Sequence, residues 1–269
     1  MVIKPFRVED SEHFLCLAAA EQWVTGRYEL DFLLAVFPEG CFCMQDETGA
    51  TVGFVSSLKH DRSGWIGNLL VRPDCRGAGI GEALFVRALK SLRYAGAETI
   101  WLTASAMGRP LYEKHGFKSI DRIVRWVVQA GGANDFGGRG DARFDAALDR
   151  LCWGDRRELL LEWVADRGTV VAEESAWAVM QPVGEAVQIG PCAARDHRVV
   201  GRVISRALAA VAAGTNVLCD APLSNGPCSA LLRELGFGTR GETHLMCAGA
   251  KPDYQPAYLF GLATLGSSG

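Results

Sequence analysis

The sequence lacks the features that mark membrane and nucleic-acid proteins. No uninterrupted apolar run approaches the ~20 residues that a membrane-spanning helix requires, and the formal net charge is only −3. Such a chain has no strong positive field to attract DNA, RNA or an anionic membrane surface, so we expect neither nucleic acid nor a membrane as partner. The start is charged and has no signal-type apolar core, which predicts a cytoplasmic protein.

Metal-ligand and disulfide patterns are also missing. The five histidines are scattered without an H-E-x-x-H spacing, and C-x-x-C does not occur among the nine cysteines. These absences predict no metal site and no disulfide framework. Because free cysteine behaves as a small apolar residue, we expect reduced and mostly buried thiols.

The order of predicted elements occurs twice along the chain. The stretch "RALKSLRYAG" (87–96) resembles "RALAAVAAG" (206–214), and "LYEKHGF" (111–117) resembles "LLRELGF" (231–237). This repeat predicts two tandem domains of the α/β class (an α+β mixed sheet), each with a mixed, mostly antiparallel sheet flanked by helices. We place the first domain at 1–130, a Gly-rich linker at 131–141 and the second domain at 142–269.

A glycine-rich turn begins the central helix of the first copy. Gly77, Gly79 and Gly81 follow Arg76 between an apolar strand and an amphipathic segment. The first backbone N–H groups of a helix have no partner within it and favour an anion, and glycine lets the main chain approach that anion closely. Arg76 could bind either a phosphate or the loop itself. The turn lacks both G-x-G-x-x-G and G-K-[ST], which disfavours a nicotinamide or ATP site.

Two motifs carry a family resemblance. The stretch "VRPDCRGAGIGEAL" (71–84) resembles the [Q/R]-x-x-G-x-[G/A] signature of the GNAT superfamily of CoA-dependent N-acyltransferases at Arg76, Gly79 and Gly81. The stretch "LYEKHGF" resembles the family's L-Y-x-x-x-G-F. The resemblance covers residues 1–128, and the second copy resembles the degenerate GNAT-like domain of some tandem acetyltransferases.

The resemblance implies acetyl-CoA as co-substrate and a set of residues that bind it. The backbone N–H groups of the turn would bind the CoA pyrophosphate, and the end of the preceding strand would pair with the pantetheine arm. The turn residues are Arg76, Gly77, Ala78, Gly79, Ile80, Gly81 and Glu82, and the strand residues are Leu69, Leu70 and Val71.

Catalytic roles fall to Tyr112 and Asn68. Tyr112 matches the tyrosine that the family uses as general acid, and a phenol with a pKa of about 10 can protonate the leaving thiolate while it stays protonated at pH 7. The alternative is a tyrosine whose ring packs in the core. Asn68 could position a water or the amine.

Acceptor-side residues are less marked. Trp23 and Tyr28 lie in the helix-loop-helix region that lines the acceptor cleft in relatives, and Asp220 and Asn225 could hydrogen-bond a polar substrate. Alternatives are a core or surface aromatic for the first two, and a loop-capping Asp and a turn Asn for the others. Glu21, Glu29 and Asp31 are candidate bases by neighbourhood alone, and otherwise solvated helix charges.

The second copy has lost the motifs of the first. Leu232 stands where Tyr112 stands, and "CAARDHR" replaces the glycine turn. We expect one active domain and one supporting domain, which could wall off the acceptor pocket, shield a sheet edge or form a homodimer. The function expected is an N-acetyltransferase that acts by direct attack of a small-molecule amine, including amino-acid-like acceptors. A non-catalytic acyl-CoA sensor and an acetyltransferase for protein amines are the alternatives.

Overall fold

The computed structural model describes residues 1–132 and 142–269, so most of the predicted linker at 131–141 lies outside the described residues and the domain boundary stays a prediction. The helices are α1 (Ser11–Ala20), α2 (Arg27–Val36), α3 (Ile80–Tyr94), α4 (Arg109–Lys114), α5 (Ala146–Trp153), α6 (Glu158–Arg167), α7 (His197–Ala209) and α8 (Gly226–Glu234). The strands are β1 (Val2–Pro5), β2 (Phe42–Gln45), β3 (Thr51–Lys59), β4 (Ser63–Val71), β5 (Thr99–Ala104), β6 (Lys118–Gln129), β7 (Thr169–Glu173), β8 (Ala176–Val183), β9 (Ala186–Ala194), β10 (Asn216–Pro222), β11 (Gly238–Gly249) and β12 (Leu259–Gly261).

The strands form one continuous sheet in the order β1-β2-β3-β4-β5-β11-β6-β10-β9-β8-β7, and β12 pairs with β9. Two neighbouring pairs are parallel, β4 with β5 and β9 with β10. A helix, α3 or α7, connects the strands of each parallel pair, as a parallel crossover requires. The predicted mixed, mostly antiparallel sheet with flanking helices is confirmed, and the repeat in the sequence corresponds to these two crossover units.

The last strand of each half lies in the other half's part of the sheet. β11 pairs with β5, with His244 opposite Ala104, whereas β6 pairs with β10, with Arg125 opposite Asp220. The exchanged strands also pair with each other along their length. The two predicted domains therefore share one sheet, and neither half completes its own sheet with its own residues.

A shared apolar core holds the halves together. Trp153 of α5 packs edge-on against Trp65 and Trp101, with ring centroids 6.0 and 5.4 Å away. These three indoles are at most 3% exposed and belong to one cluster that spans both halves. Burying aromatic rings of this size is a main source of packing energy. The expectation that the second half supports the first has this physical basis.

Strand β4 separates from β5 after its first three residues. The two strands pair only from Ser63 to Trp65, and a register shift against β3 follows. Beside the shift, Asn68 has a φ of 52°, the left-handed region that asparagine tolerates better than most residues. This bulge re-aims the end of β4 and exposes its backbone beside the glycine turn.

The segment 262–269 contacts both separated strands. The N–H of Asn68 donates to the Gly266 carbonyl at 3.3 Å, and the Thr103 hydroxyl donates to the Leu265 carbonyl. A Cβ at Gly67 would collide with the Gly266 carbonyl oxygen, so only glycine permits this approach. The segment thus closes one side of the opening between β4 and β5.

Candidate active site

The glycine turn presents free backbone donors. Gly77 and Gly79 have φ values of 80° and 77°, and a Cβ on either would meet nothing within 4 Å. From Gly77 to Glu82, the backbone N–H groups donate to no protein acceptor within the part of the chain that the structure describes. At a helix N-terminus such donors bind anions. The Arg76 N–H differs, because it donates to the Pro73 carbonyl at 3.3 Å in the preceding turn.

The Arg76 side chain fastens the turn. Its Nε donates to the Val71 carbonyl at 3.0 Å, and its Nη2 donates to Oε1 of Glu21 at 2.5 Å. The guanidinium is thus hydrogen-bonded within the protein, which is one of the two roles considered from the sequence, and its binding to a phosphate stays a prediction. It ties the end of β4 to the end of α1, which holds the N–H groups of the turn in place. Glu21 is engaged here and does not face the acceptor side.

A groove of about 640 Å³ runs from the turn along β4, and we call it the glycine groove. It is lined by Glu21, Trp23, Leu69, Leu70, Val71, Cys75, Arg76, Gly77, Gly79, Ile80, Gly81, Glu82, Ser105, Met107, Gly108, Leu111 and Tyr112. All three strand residues predicted from the resemblance lie here. Because β4 has left β5, the backbone at this end of the strand is available to pair with an extended ligand.

A second, smaller cavity adjoins the groove, and we call it the acceptor pocket. It has a volume of about 270 Å³ and is lined by Gln22, Trp23, Val24, Thr25, Glu29, Ile66, Gly67, Asn68, Leu69, Thr103, Ser105, Tyr112, Arg125, Thr243, Thr264, Leu265 and Gly266. Four residues line both cavities, namely Trp23, Leu69, Ser105 and Tyr112. The two cavities therefore meet at Tyr112, and the smaller one draws its walls from both halves of the chain.

Tyr112 packs in the core and also borders both cavities. Its ring packs edge-on against Phe85, with centroids 5.1 Å apart, and the residue is only 8% exposed. Its hydroxyl has no hydrogen-bond partner among the described residues, yet the residue borders both cavities. Burial raises the pKa of Tyr112 to about 12, because the phenolate loses its hydration. The hydroxyl thus keeps its proton at neutral pH.

Glu29 is the carboxylate of the acceptor pocket. It lies in the first turn of α2, is 6% exposed, and accepts hydrogen bonds from the hydroxyls of Thr25, at 2.7 Å, and Ser267. Burial raises its pKa to about 7, above the ordinary 4.5, since the charged form is desolvated. A carboxyl with a pKa near the working pH can exchange a proton. From the sequence, Glu29 and Asp31 were equally good candidates for a base. In the structure the Asp31 side chain is 44% exposed and pairs with Arg27.

Arg125 brings a positive charge to the same pocket. Its Nε and Nη2 donate to the two carboxylate oxygens of Asp220, both at 2.8 Å, and Gln188 donates to Asp220 at 3.1 Å. Asp220 is fully buried and lies behind Arg125 rather than in the pocket wall. The predicted contact of Asp220 with a substrate is therefore corrected, because its carboxylate is buried and pairs with Arg125. The sequence analysis did not identify Arg125 as a pocket residue. A single arginine within the apolar run "IVRWVV" could have indicated a buried charge with a specific partner.

Two further predicted acceptor residues also lie outside the pocket, and these assignments are corrected as well. The Tyr28 hydroxyl donates to the Pro182 carbonyl at 2.7 Å, and its ring stacks on Trp163 with centroids 5.4 Å apart. Tyr28 thus joins the two halves, because α2 turns this face toward the second half. Asn225 caps α8 by accepting from the Cys228 N–H at 3.0 Å. It is the turn asparagine of the alternative interpretation. Trp23 and Asn68, by contrast, line the acceptor pocket.

The second half has no equivalent of the glycine turn in the residues that the structure describes. The N-terminus of α7 is capped by its own Asp196, whose carboxylate accepts from the Arg198 N–H at 2.8 Å. A carboxylate at that position satisfies the donors and repels another anion. Leu232, the counterpart of Tyr112, is fully buried. Both observations agree with a supporting role for this half.

The cysteines of the described residues are unpaired thiols, and most of them are buried. Residues 1–132 and 142–269 contain no group of three or more His, Cys, Asp or Glu side chains arranged to hold a metal ion. No helix within those ranges is both long enough and apolar enough to cross a bilayer.

Comparisons with known proteins identify the fold and the family. Two family models, each described as an acetyltransferase (GNAT) domain, match residues 38–119 and 146–261. Among solved structures, a Pyrococcus horikoshii protein superposes with a TM-score of 0.84 at 22% identity, covering 100% of this chain and 95% of that one. A GCN5-related N-acetyltransferase from Sphaerobacter thermophilus has a TM-score of 0.63 at 14% identity, covering 97% and 98%.

Two curated relatives are also named as acyltransferases. The chain is 25% identical to holothin acyltransferase of Pseudoalteromonas sp. (strain SANK 73390), over 97% of this chain and 92% of the relative. It is 36% identical to glucosamine 6-phosphate N-acetyltransferase of Trypanosoma brucei brucei, over 31% of this chain and 61% of the relative. The fold and site define a tandem acyltransferase with one intact glycine turn. The chain belongs to the GNAT acetyltransferase family and is an N-acetyltransferase.

Proposed function

We propose that the protein transfers the acetyl group of acetyl-CoA to the amine of a small molecule held in the acceptor pocket. The observation that carries this proposal is the junction of the glycine groove and the acceptor pocket at Tyr112. The pocket volume of about 270 Å³ suits a small molecule, and the segment 262–269 forms part of the pocket wall. The two curated relatives are named for small-molecule acceptors, which agrees with this size.

The glycine groove fits the cofactor. The unpaired N–H groups from Gly77 to Glu82 would hold the pyrophosphate, and the free edge of β4 at Leu69 to Val71 would pair with the amides of the pantetheine arm. Acetyl-CoA supplies an activated thioester. Since the glycines leave open space where side chains would project, nothing in the turn obstructs an approaching phosphate.

Glu29 and Tyr112 divide the proton transfers. The amine nitrogen forms a bond to the acetyl carbon while the carbon–sulfur bond breaks. Glu29 accepts the proton that the amine loses, and Tyr112 gives its proton to the leaving sulfur. Asn68 donates to the Ser56 hydroxyl at 3.0 Å and thereby fixes the bulge that brings the β4 backbone beside the thioester.

A homodimer, which the sequence allowed for the second half, stays a prediction.

A thiol-release assay with acetyl-CoA and a panel of small amines tests the proposal. We expect acetyl-dependent thiol release, and calorimetry should detect acetyl-CoA binding. Tyr112→Phe should lower kcat by about a hundredfold, the typical contribution of a general acid, with acetyl-CoA affinity nearly unchanged. Tyr94→Phe is the control, because Tyr94 is 97% exposed on α3.

The outcomes separate the alternatives. Binding without turnover of any amine would favour the acyl-CoA sensor. Turnover with peptides alone would favour a protein acceptor. Equal kcat for Tyr112→Phe and the wild type would remove the acid role from Tyr112.

A further inference from the structure

The acceptor pocket contains two side chains of opposite charge that do not contact each other. Glu29 comes from α2 and Arg125 from the exchanged strand β6, and both line the pocket. No ion pair within 4.0 Å joins them among the described residues. They are nevertheless near enough that each charge shifts the pKa of the other. A ligand in this pocket therefore meets a carboxylate at one place and a guanidinium at another.

Only some of the N–H donors of the Arg125 guanidinium have hydrogen-bond acceptors among the described residues. Asp220 takes the Nε and Nη2 donors, whereas Nη1 has no acceptor in the described part of the chain. The side chain is 21% exposed and Asp220 is fully buried, so the ion pair fixes the guanidinium plane from behind. An arginine fixed in this way offers its remaining N–H groups to an oxygen in a defined direction.

The charges constrain the ligand further. Asp220 offsets the positive charge of Arg125. The charge of the pocket therefore depends on whether the carboxyl of Glu29 is protonated. A ligand with both an amine and an oxygen acceptor would pair with Glu29 through its amine and with the free N–H groups of Arg125 through its oxygen. A simple alkylamine would leave the free Nη1 donors of Arg125 without a partner. A site whose donors are paired only by the correct ligand discriminates against an analogue that lacks the acceptor.

From this geometry we propose that the acceptor is amino-acid-like: its amine lies at Glu29 and a carboxylate or carbonyl oxygen binds Nη1 of Arg125. The inference rests on the proposed function and names its substrate class. Arg125 then acts as a specificity-determining residue and Glu29 marks the reacting end. The strand exchange is what brings Arg125 to this pocket, because β6 there lies between β11 and β10.

Two matched series of probes test the substrate class. The first is a series of unbranched ω-amino acids of increasing chain length, and the second is the alkylamines of equal length. Because the two charged groups have one fixed separation, the wild type should prefer one chain length in the first series. At that length kcat/KM should exceed that of the matching alkylamine by at least about tenfold, because the alkylamine leaves the Nη1 donors of Arg125 without their ligand partner. The ω-amino amide of that length, which keeps the carbonyl, should lie between them.

Variants then assign the preference to Arg125. Replacing Arg125 alone would strand a buried carboxylate, so the informative variant is Arg125→Gln combined with Asp220→Asn, which exchanges the ion pair for a neutral hydrogen-bonded pair. Its kcat/KM ratio between the two series should fall to near one. Arg122→Gln is the control on the same strand, since Arg122 is exposed and pairs with Glu242. It should keep the wild-type ratio.

The results distinguish this inference from the function beneath it. Acetylation of amines by the wild type with equal kcat/KM in both series would overturn the inference and leave the proposed function standing. A ratio that persists in a folded double variant would also overturn it. If the double variant does not fold, the wild-type series alone decides. Failure to acetylate any amine despite acetyl-CoA binding would remove the proposed function and the inference with it.

Discussion

Replacing Glu29 by glutamine should stabilise the protein at alkaline pH while it impairs catalysis. Glu29 is buried, and its pKa is about 7 in the folded protein instead of the ordinary 4.5. Below about pH 4.5 the carboxyl is neutral in both the folded and unfolded states and carries no penalty. As the pH rises from 4.5 to 7, the unfolded chain ionises first, so folding becomes less favourable. Above pH 7 the penalty is constant.

The size of the effect follows from the two pKa values. At about 1.4 kcal/mol per pH unit, the interval between 4.5 and about 7 corresponds to about 3 kcal/mol at pH 8 and about 1 kcal/mol at pH 5. A glutamine at this position would carry no such penalty. Its amide would still bond the hydroxyls of Thr25 and Ser267, because a hydroxyl both donates and accepts. The advantage of Glu29→Gln over the wild type should therefore grow by about 2 kcal/mol from pH 5 to pH 8.

Urea unfolding at several pH values measures this difference. Any effect of the substitution on the free energy of unfolding that does not depend on pH cancels, because only the change between pH values is compared. Glu12→Gln is the matched control: Glu12 has a 76% exposed side chain and pairs with Arg27 on the surface, so its effect should stay small at every pH. A stability difference for Glu29→Gln that does not change between pH 5 and pH 8 would refute the assignment of a buried, weakly acidic carboxyl. Stability gained together with activity lost is typical of a functional group held in an unfavourable environment.

The remaining predictions concern the turn, the pocket wall and pH. Gly79→Ala should weaken acetyl-CoA binding in calorimetry, whereas Gly184→Ala, at another left-handed glycine in a hairpin far from the groove, should not. Gly67→Ala should displace the segment 262–269, lower stability by about 1–3 kcal/mol in urea unfolding and raise the acceptor KM; Gly226→Ala, with open space around its Cβ, should do neither. The kcat of the wild type should fall about tenfold per pH unit below pH 7, as Glu29 becomes protonated and can no longer accept a proton, and Glu29→Gln should lack this dependence.

Local patterns in the sequence were sufficient for the turn and the order of elements. The amphipathic segment after the turn predicted a helix, and its apolar residues Leu84, Phe85, Ala88, Leu89 and Leu92 are all buried in α3. The start of this helix has left-handed backbone at Gly77 and Gly79. Glycine adopts this conformation without steric cost, so its presence in the sequence indicated the turn. Hydrogen bonds inside a helix, the faces that it presents and the turns beside it all depend on residues a few positions apart, so they can be read along the chain.

The acceptor side depended on contacts between residues far apart in the sequence. The pairing of Arg125 with Asp220 joins positions 95 residues apart, and the contact of Ser267 with Glu29 joins positions 238 apart. Nothing in the sequence pattern distinguished a buried Glu29 from an exposed Asp31 on the same helix. Strand alternation fixes which face a side chain takes but not which strand will lie beside it. The exchange of β6 and β11 was therefore decided only in the tertiary structure, and with it the walls and charges of the acceptor pocket.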